Sequence, residues 1–333
     1  MKVIKEIGLS VLIILFVAVS LSHGQSAAMR HLIYGVDYAA QGKFNEAKEE
    51  FEKALKVNPF NEGAQDSLKV IEDVTAKKIE SKTAIHFFQG AAYVLKGQFD
   101  QAILEYDKAI KINPKFGTAY RTRGTAYARK RQYDRAISDY NKAIELNPRY
   151  ATAYFTRGSA YQIKGQYDRA ISDFTKAIEI NPRYAKAYSN RGVVHKCKGQ
   201  YDRAIADDNK AIEINPGCAQ AYTNRGLTFA SKRQYDQAIS DYNKAIELNP
   251  RLAQTYYNRG LAYSQGKAQY AQAISDFTRA IEINPRYAAG YKGRGLNYMI
   301  LGNMKKACSD LKQLCTLGDC RVYQASRAMG KCD

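Results

Sequence analysis

All seven prolines of the 333-residue chain follow asparagine, at Pro59, Pro114, Pro148, Pro182, Pro216, Pro250 and Pro285. From Pro114 to Pro250 they recur every 34 residues, and the last step is 35. Between them one segment returns almost unchanged: "YDRAISDYNKAIELNPRYA" from Tyr133, with close copies from Tyr167, Tyr201, Tyr235 and Tyr270. A chain of this length would otherwise suggest two or three globular domains. A fixed period overrides that expectation and points to an array of one supersecondary unit.

Residues 117–150 show what the unit is. Tyr120, Gly124 and Tyr127 fall at i, i+4 and i+7, one face of a helix. Ala136, Tyr140, Ala143 and Ile144 mark a second such face, which Asn147-Pro148 ends because proline lacks a donor and biases its predecessor away from helical geometry. Small residues at Gly124, Ala136 and Ala143 let the two backbones approach. One helix pair buries too little to stand alone, so the pairs must lean on their neighbours.

The aromatic, Gly, Tyr, Ala, aromatic, Ala and Pro positions at fixed offsets resemble the tetratricopeptide repeat family. The resemblance implies an all-α fold, a right-handed superhelical solenoid of about eight helix-turn-helix units. These would occupy 28–61, 83–116, 117–150, 151–184, 185–218, 219–252, 253–287 and a proline-free 288–321, followed by a cap at 322–333. The unit at 253 carries one extra residue in "SQGKAQ", expected in the turn between its helices. Residues 62–82 break the register. Their stripe Leu68, Ile71, Thr75 and Ile79 predicts an inserted amphipathic helix, one that can run on into the helix starting near Thr83.

The family's function as an interaction scaffold implies protein partners, bound as extended peptide segments in a concave groove lined by the first helix of each unit. Carried onto this chain, the candidate contact residues are Arg121, Thr122, Phe155, Thr156, Lys186, Asn190, Asn224, Tyr257 and Asn258. The asparagines share the sixth position of three successive units, and a carboxamide offers both donors and an acceptor to a peptide backbone. No unit pairs lysine at its fifth position with asparagine at its ninth, so capture of a C-terminal carboxylate is not expected.

Basic residues exceed acidic ones by 51 to 32, a net charge of +19. Lys130, Lys164, Lys198 and Lys232 would lie near one rim, Arg149, Arg183, Arg251 and Arg286 near the other. The alternative function is therefore electrostatic contact with an anionic membrane or cell-envelope glycan. Nucleic acid is not an expected partner, because "MKVIKEIGLSVLIILFVAVSLSHG" has the layout of a secretory signal peptide, residues 1–24. Export to a periplasm or to the exterior is expected, with retention of that segment as an anchor the other outcome.

Six units carry arginine at the seventh position and aspartate at the twenty-third: Arg123 and Asp139, Arg157 and Asp173, Arg191 and Asp207, Arg225 and Asp241, Arg259 and Asp276, Arg294 and Asp310. A repeated structural ion pair between the two helices is expected, since guanidinium and carboxylate match as a fork. The first two units would instead pair Tyr34 with Glu50 and Gln89 with Glu105, leaving His31 and His86 as packing residues.

No catalytic centre, cofactor motif or metal-ligand spacing stands out, so no enzyme and no cofactor are expected. The unit at 185 has His195, Cys197 and Asp208 at unusual places, but residues 195 and 197 point about 200° apart on a helix. A hydrogen bond from His195 compensating Asp208, or a weak spot in the stack, is the expected reading. Cys308, Cys315, Cys320 and Cys332 surround the last helix and its tail. Four cysteines allow three pairings, of which an antiparallel tail helix favours Cys308–Cys332 and Cys315–Cys320. Cys197 and Cys218 are expected as free thiols.

Overall fold

The computed structural model describes residues 23–332; the signal-peptide reading falls almost wholly on residues outside it. Among the described residues all regular structure is helical, and no helix is long and apolar enough to cross a membrane. Two compact units divide the chain near Ile180.

The N-terminal unit holds α1 (His23–Ala40), α2 (Phe44–Val57), α3 (Glu62–Thr75), α4 (Ser81–Leu95), α5 (Phe99–Ile112), α6 (Gly117–Arg129), α7 (Tyr133–Leu146), α8 (Ala151–Ile163) and α9 (Tyr167–Ile180). Four antiparallel pairs, α1/α2, α4/α5, α6/α7 and α8/α9, form the stack, with α5 packed on α6 and α7 on α8. The inserted helix α3 stops at Thr75. A turn with Lys77 at φ 54° separates it from α4, so the two helices are not continuous. This insertion alters the stacking: α3 takes the place beside α2, and α4 packs directly on α1.

The C-terminal unit holds α10 (Ala185–Cys197), α11 (Tyr201–Ile214), α12 (Ala219–Ser231), α13 (Tyr235–Leu248), α14 (Ala253–Leu261), α15 (Tyr270–Ile283), α16 (Ala288–Ile300), α17 (Met304–Thr316) and the short α18 (Arg321–Ala328). Its pairs are α10/α11, α12/α13, α14/α15 and α16/α17. The extra residue of the third pair appears as a π-helical turn, Ala262–Gly266, that prolongs α14 rather than as a longer loop.

Each Asn-Pro joint is built the same way. The asparagine side chain accepts the backbone N–H two residues on, as Asn147 does from Arg149 at 3.0 Å and Asn249 from Arg251 at 3.1 Å. The proline fixes the intervening φ, so the joint ends one pair and aims the next. In six of the pairs the aromatic residue of the second helix lies on the glycine of the first. A methyl group added at Gly226 would sit 2.7 Å from the Tyr242 ring, whose residue is fully buried. Gly226→Ala should therefore lower stability by about 1–3 kcal/mol through overpacking, read as a drop in the urea midpoint with an unchanged slope.

α18 closes the C-terminal end by two disulfides. Cys315–Cys320 pins its start and Cys308–Cys332 its tail, with Cα separations of 4.0 and 5.5 Å. Of its own residues only Ser326 is fully buried, and eight residues are too few to hold a helix alone. Cys197 and Cys218 are unpaired thiols.

Candidate functional site

The wall that a ligand could meet is the face of each first helix turned away from its second helix, and what holds those helices in register is a repeated arginine brace. In each of the six pairs the guanidinium Nε and Nη2 donate to both oxygens of the aspartate. Arg225 reaches Asp241 at 2.8 and 2.6 Å, and Arg123 reaches Asp139 at 2.8 and 2.6 Å. The same bidentate contact joins Arg157 to Asp173, Arg191 to Asp207, Arg259 to Asp276 and Arg294 to Asp310. The aspartates are 4–6% exposed.

The arginine makes a third contact beyond the expected pair. Nη1 of the same arginine crosses to the second helix of the preceding pair, from Arg123 to Asp107, Arg157 to Asn141, Arg225 to Asn209, Arg259 to Asn243 and Arg294 to Thr278. Each guanidinium also lies over the ring of the tyrosine one turn before it, as Arg225 over Tyr222 at 5.6 Å. One side chain thus ties three helices. The recurrence of Asn or Thr two residues after Asp139, Asp173, Asp207, Asp241 and Asp276, with Asp107 two residues after Glu105, is the sequence signal for it.

The first two pairs use a different partner from the one expected. Glu50 meets His31 at 2.7 Å and Lys53 at 2.7 Å, and Glu105 meets His86 at 2.8 Å and Lys108 at 2.7 Å. Tyr34 is exposed. The fourth-position histidines, expected to pack, replace the seventh-position arginine because imidazole reaches the longer glutamate from one turn earlier. Hydrogen bonds from lysine and histidine outweigh the cost of burial and hold both glutamates below their ordinary pKa.

Two of the three sixth-position asparagines are buried. Asn224 is 8% exposed; its Nδ2 donates to Ser189 Oγ at 2.9 Å, and its Oδ1 accepts from Gln220 at 2.9 Å. Asn258 is 5% exposed and accepts from Gln254 at 2.9 Å, while its Nδ2 is buried without a partner. These amides point between neighbouring first helices, where Thr223 and Thr255 also touch at 3.0 Å. Asn190 alone of the three is partly exposed. Asn224 therefore ties two first helices together and Asn258 is shut in beside its neighbours, because the closely packed helices leave these two amides no room to turn outward.

Of the remaining candidates, Thr122 and Thr156 donate to carbonyls of their own helices at Thr118 and Thr152, both at 2.9 Å. Arg121 is engaged within the chain, bonding Asp66 of α3 at 2.7 Å and the Tyr150 hydroxyl at 2.9 Å. Phe155 packs on Phe174 and Tyr257 on Phe277, with ring centroids 5.7 and 5.6 Å apart. Lys186 is exposed. The rim lysines reach back to the preceding pair: Lys130 to Asp100, Lys164 to Asp134, and Lys232 to Asp202 at 2.6 Å.

The odd pair, α10/α11, contains no assembled triad. His195 Nδ1 faces Gln200 at 2.7 Å and its Nε2 lies 3.8 Å from Asp207, so the expected His195–Asp208 bond is replaced. Asp208 instead accepts from Ser189 at 3.1 Å, is 1% exposed, and leaves Oδ2 without a partner. Burial pushes its carboxyl up to about 8. Cys197 is exposed. Among the described residues no three His, Cys, Asp or Glu side chains converge as a metal site.

Models of the tetratricopeptide repeat match residues 28–61, 151–184, 185–218, 219–252 and 253–287, and a TPR repeat model matches 90–130 and 126–165. The chain belongs to the tetratricopeptide repeat family, whose members are protein-interaction scaffolds, typically without catalytic activity. A tetratricopeptide repeat protein from Parabacteroides merdae is 22% identical over 72% of this chain and 94% of its own, with a TM-score of 0.58. The APC/C hetero-tetramer Cut9-Hcn1 is 17% identical, covering 83% of this chain and 50% of that one, with a TM-score of 0.61. Both likenesses concern the fold alone. MamA is 33% identical over 50% of this chain and 96% of its own, with a TM-score of 0.44. No curated protein matches by sequence.

Proposed function

We propose that the protein is a scaffold that binds extended segments of partner proteins along the concave groove of its first helices. The observation that carries this reading is the arginine brace. Because the guanidinium of Arg123, Arg157, Arg225, Arg259 and Arg294 ties its own pair to the preceding one, first-helix positions within each unit recur at a fixed step with little freedom to lose on binding. Asn190, Phe155, Tyr257 and Lys186 are the proposed contacts that remain in play. Thr122 and Thr156 contribute shape rather than donors.

Export fits the two disulfides at the C-terminal cap, which persist in an oxidising compartment such as a periplasm or the exterior. The apolar N-terminal run fits a signal peptide or a retained anchor.

The test is photo-crosslinking with benzoylphenylalanine placed at 227, on a first helix, or at 210, on a second helix. In the native envelope extract, partner crosslinks are expected at 227 and not at 210. Crosslinks confined to 210, lost steeply between 50 and 300 mM salt, would favour the anionic-surface alternative instead.

A further inference from the structure

The ninth position of each first helix changes character along the chain. In the N-terminal unit it holds the buried Val36, Ala91, and then Thr125 and Ser159, whose hydroxyls donate to Arg121 and Phe155 carbonyls at 3.1 and 2.9 Å. In the C-terminal unit it holds Val193, Leu227, Leu261 and Leu296. The first three are partly exposed and Leu296 is 39% exposed. These side chains lie one turn beyond the fifth-position residues, and Leu227 also rests against the buried cluster of Ala238, Tyr242 and Ala262. Their neighbours on the other side, Gly192, Val194, Thr228 and Ala262, are buried.

Two further features bear on what would cover this row. No carboxylate occupies the second, fifth, sixth or ninth position in these four repeats, whereas Lys186 and Lys292 stand exposed at its two ends. Asn224 is held against Ser189 and Asn258 is buried, so beside the partly exposed Asn190 the wall offers apolar knobs and positive charge rather than a ladder of outward amides.

The step between knobs follows from the packing. Neighbouring first helices touch directly, Asn224 on Ser189 and Thr223 on Thr255, which sets packed axes about 8–10 Å apart. A polyproline II strand rises about 3.1 Å per residue and returns to the same face every third residue, about 9.3 Å on. A fully extended strand presents the same face every second residue, about 6.6–6.8 Å on, and falls out of register within two repeats.

We infer that the wall of Val193, Leu227, Leu261 and Leu296 binds an acidic polyproline II segment that carries one apolar residue in three. This deepens the scaffold reading and rests on it. The acidic residues meet Lys186 and Lys292, and the apolar ones seat between successive knobs.

The probe is a fluorescein-labelled (Glu-Pro-Leu)4 peptide titrated against the oxidised full chain in 0.15 M salt, followed by anisotropy. Saturable binding is expected, weaker by at least tenfold for (Glu-Pro-Ser)4, for (Lys-Pro-Leu)4 and for the period-two peptide (Glu-Leu)6. Leu227→Ser with Leu261→Ser should weaken (Glu-Pro-Leu)4 binding at least tenfold. The exposed pair Lys186→Glu with Lys292→Glu should do the same without touching the core, and Lys210→Ser should not. Equal binding of (Glu-Pro-Leu)4 and (Glu-Leu)6, indifference to the leucine and lysine variants, or no binding at all would each overturn the inference. Failure of the scaffold reading itself has a different signature, namely partner crosslinks at 210 and none at 227.

Discussion

Replacing Asp208 by asparagine should raise the thermal midpoint markedly at pH 8.5 and hardly at all at pH 4. The slot that Asp208 occupies holds Phe51, Tyr106, Tyr140, Phe174, Tyr242 and Phe277 in six of the other seven pairs and Leu311 in the last, each fully or almost fully buried. Asp208 is as deeply buried, with one oxygen on Ser189 and the other on nothing. Desolvation is the main cause of its raised pKa; Asp207 adds to it, and Ser189, Arg225 and Lys196 oppose it.

The sign follows from the two states. Unfolded, the group titrates near 3.8; folded, near 8. The native protein therefore binds the proton more tightly, and stability present below pH 3.8 is lost as the pH rises through about 8. The loss should amount to about 2–4 kcal/mol, less than the full shift implies because local opening admits water. Asp208→Asn removes the slope, and Asp208→Tyr should restore the missing ring contact over Gly192 as well. Urea midpoints at pH 4, 6 and 8.5 decide it: a wild-type midpoint flat with pH would contradict a strained carboxylate.

Arg225→Ala carries the second large effect. It removes the fork on Asp241, the link to Asn209 and the face contact with Tyr222. Asp241, 5% exposed, is left as a buried charge without its partner, which should cost about 3–5 kcal/mol. Arg225→Lys should recover only part, since an ammonium cannot serve three acceptors in a fixed plane. Arg225→Ala with Asp241→Leu should be far milder than the sum of the single changes, because the orphaned carboxylate is gone. A double-mutant cycle showing additive losses would mean the brace is an ornament of the surface.

The fold was legible because every level of the sequence agrees. Asn-Pro joints, the glycine–aromatic pairing and the 34-residue period all specify the same helix pair. The Arg–Asp spacing is equally readable, since both residues recur in register. The third arm of the brace was missed because its acceptor varies among Asp, Asn and Thr. His31 and His86 were misjudged because a longer carboxylate at Glu50 and Glu105 moved the partner by one turn.

The candidate site was less legible. Position alone cannot tell an outward amide from one turned into the next helix, and the choice at Asn224 depends on Ser189 standing opposite it in the preceding repeat. Arg121 belongs to the groove by position, yet Asp66 in the inserted helix claims it, a contact across 55 residues that no periodicity announces. The apolar row was written in the sequence at Val193, Leu227 and Leu261. Its importance emerges only once the amides at Asn224 and Asn258 beside it are seen to be buried.

Hydrogen exchange of the oxidised full chain, with and without saturating (Glu-Pro-Leu)4, tests most directly the claim that the first helices are the binding wall. Slowed exchange should gather in 185–197, 219–231, 253–266 and 288–300. Protection gathered instead in 201–214, 235–248 and 270–283 would place the partner on the opposite face and contradict it.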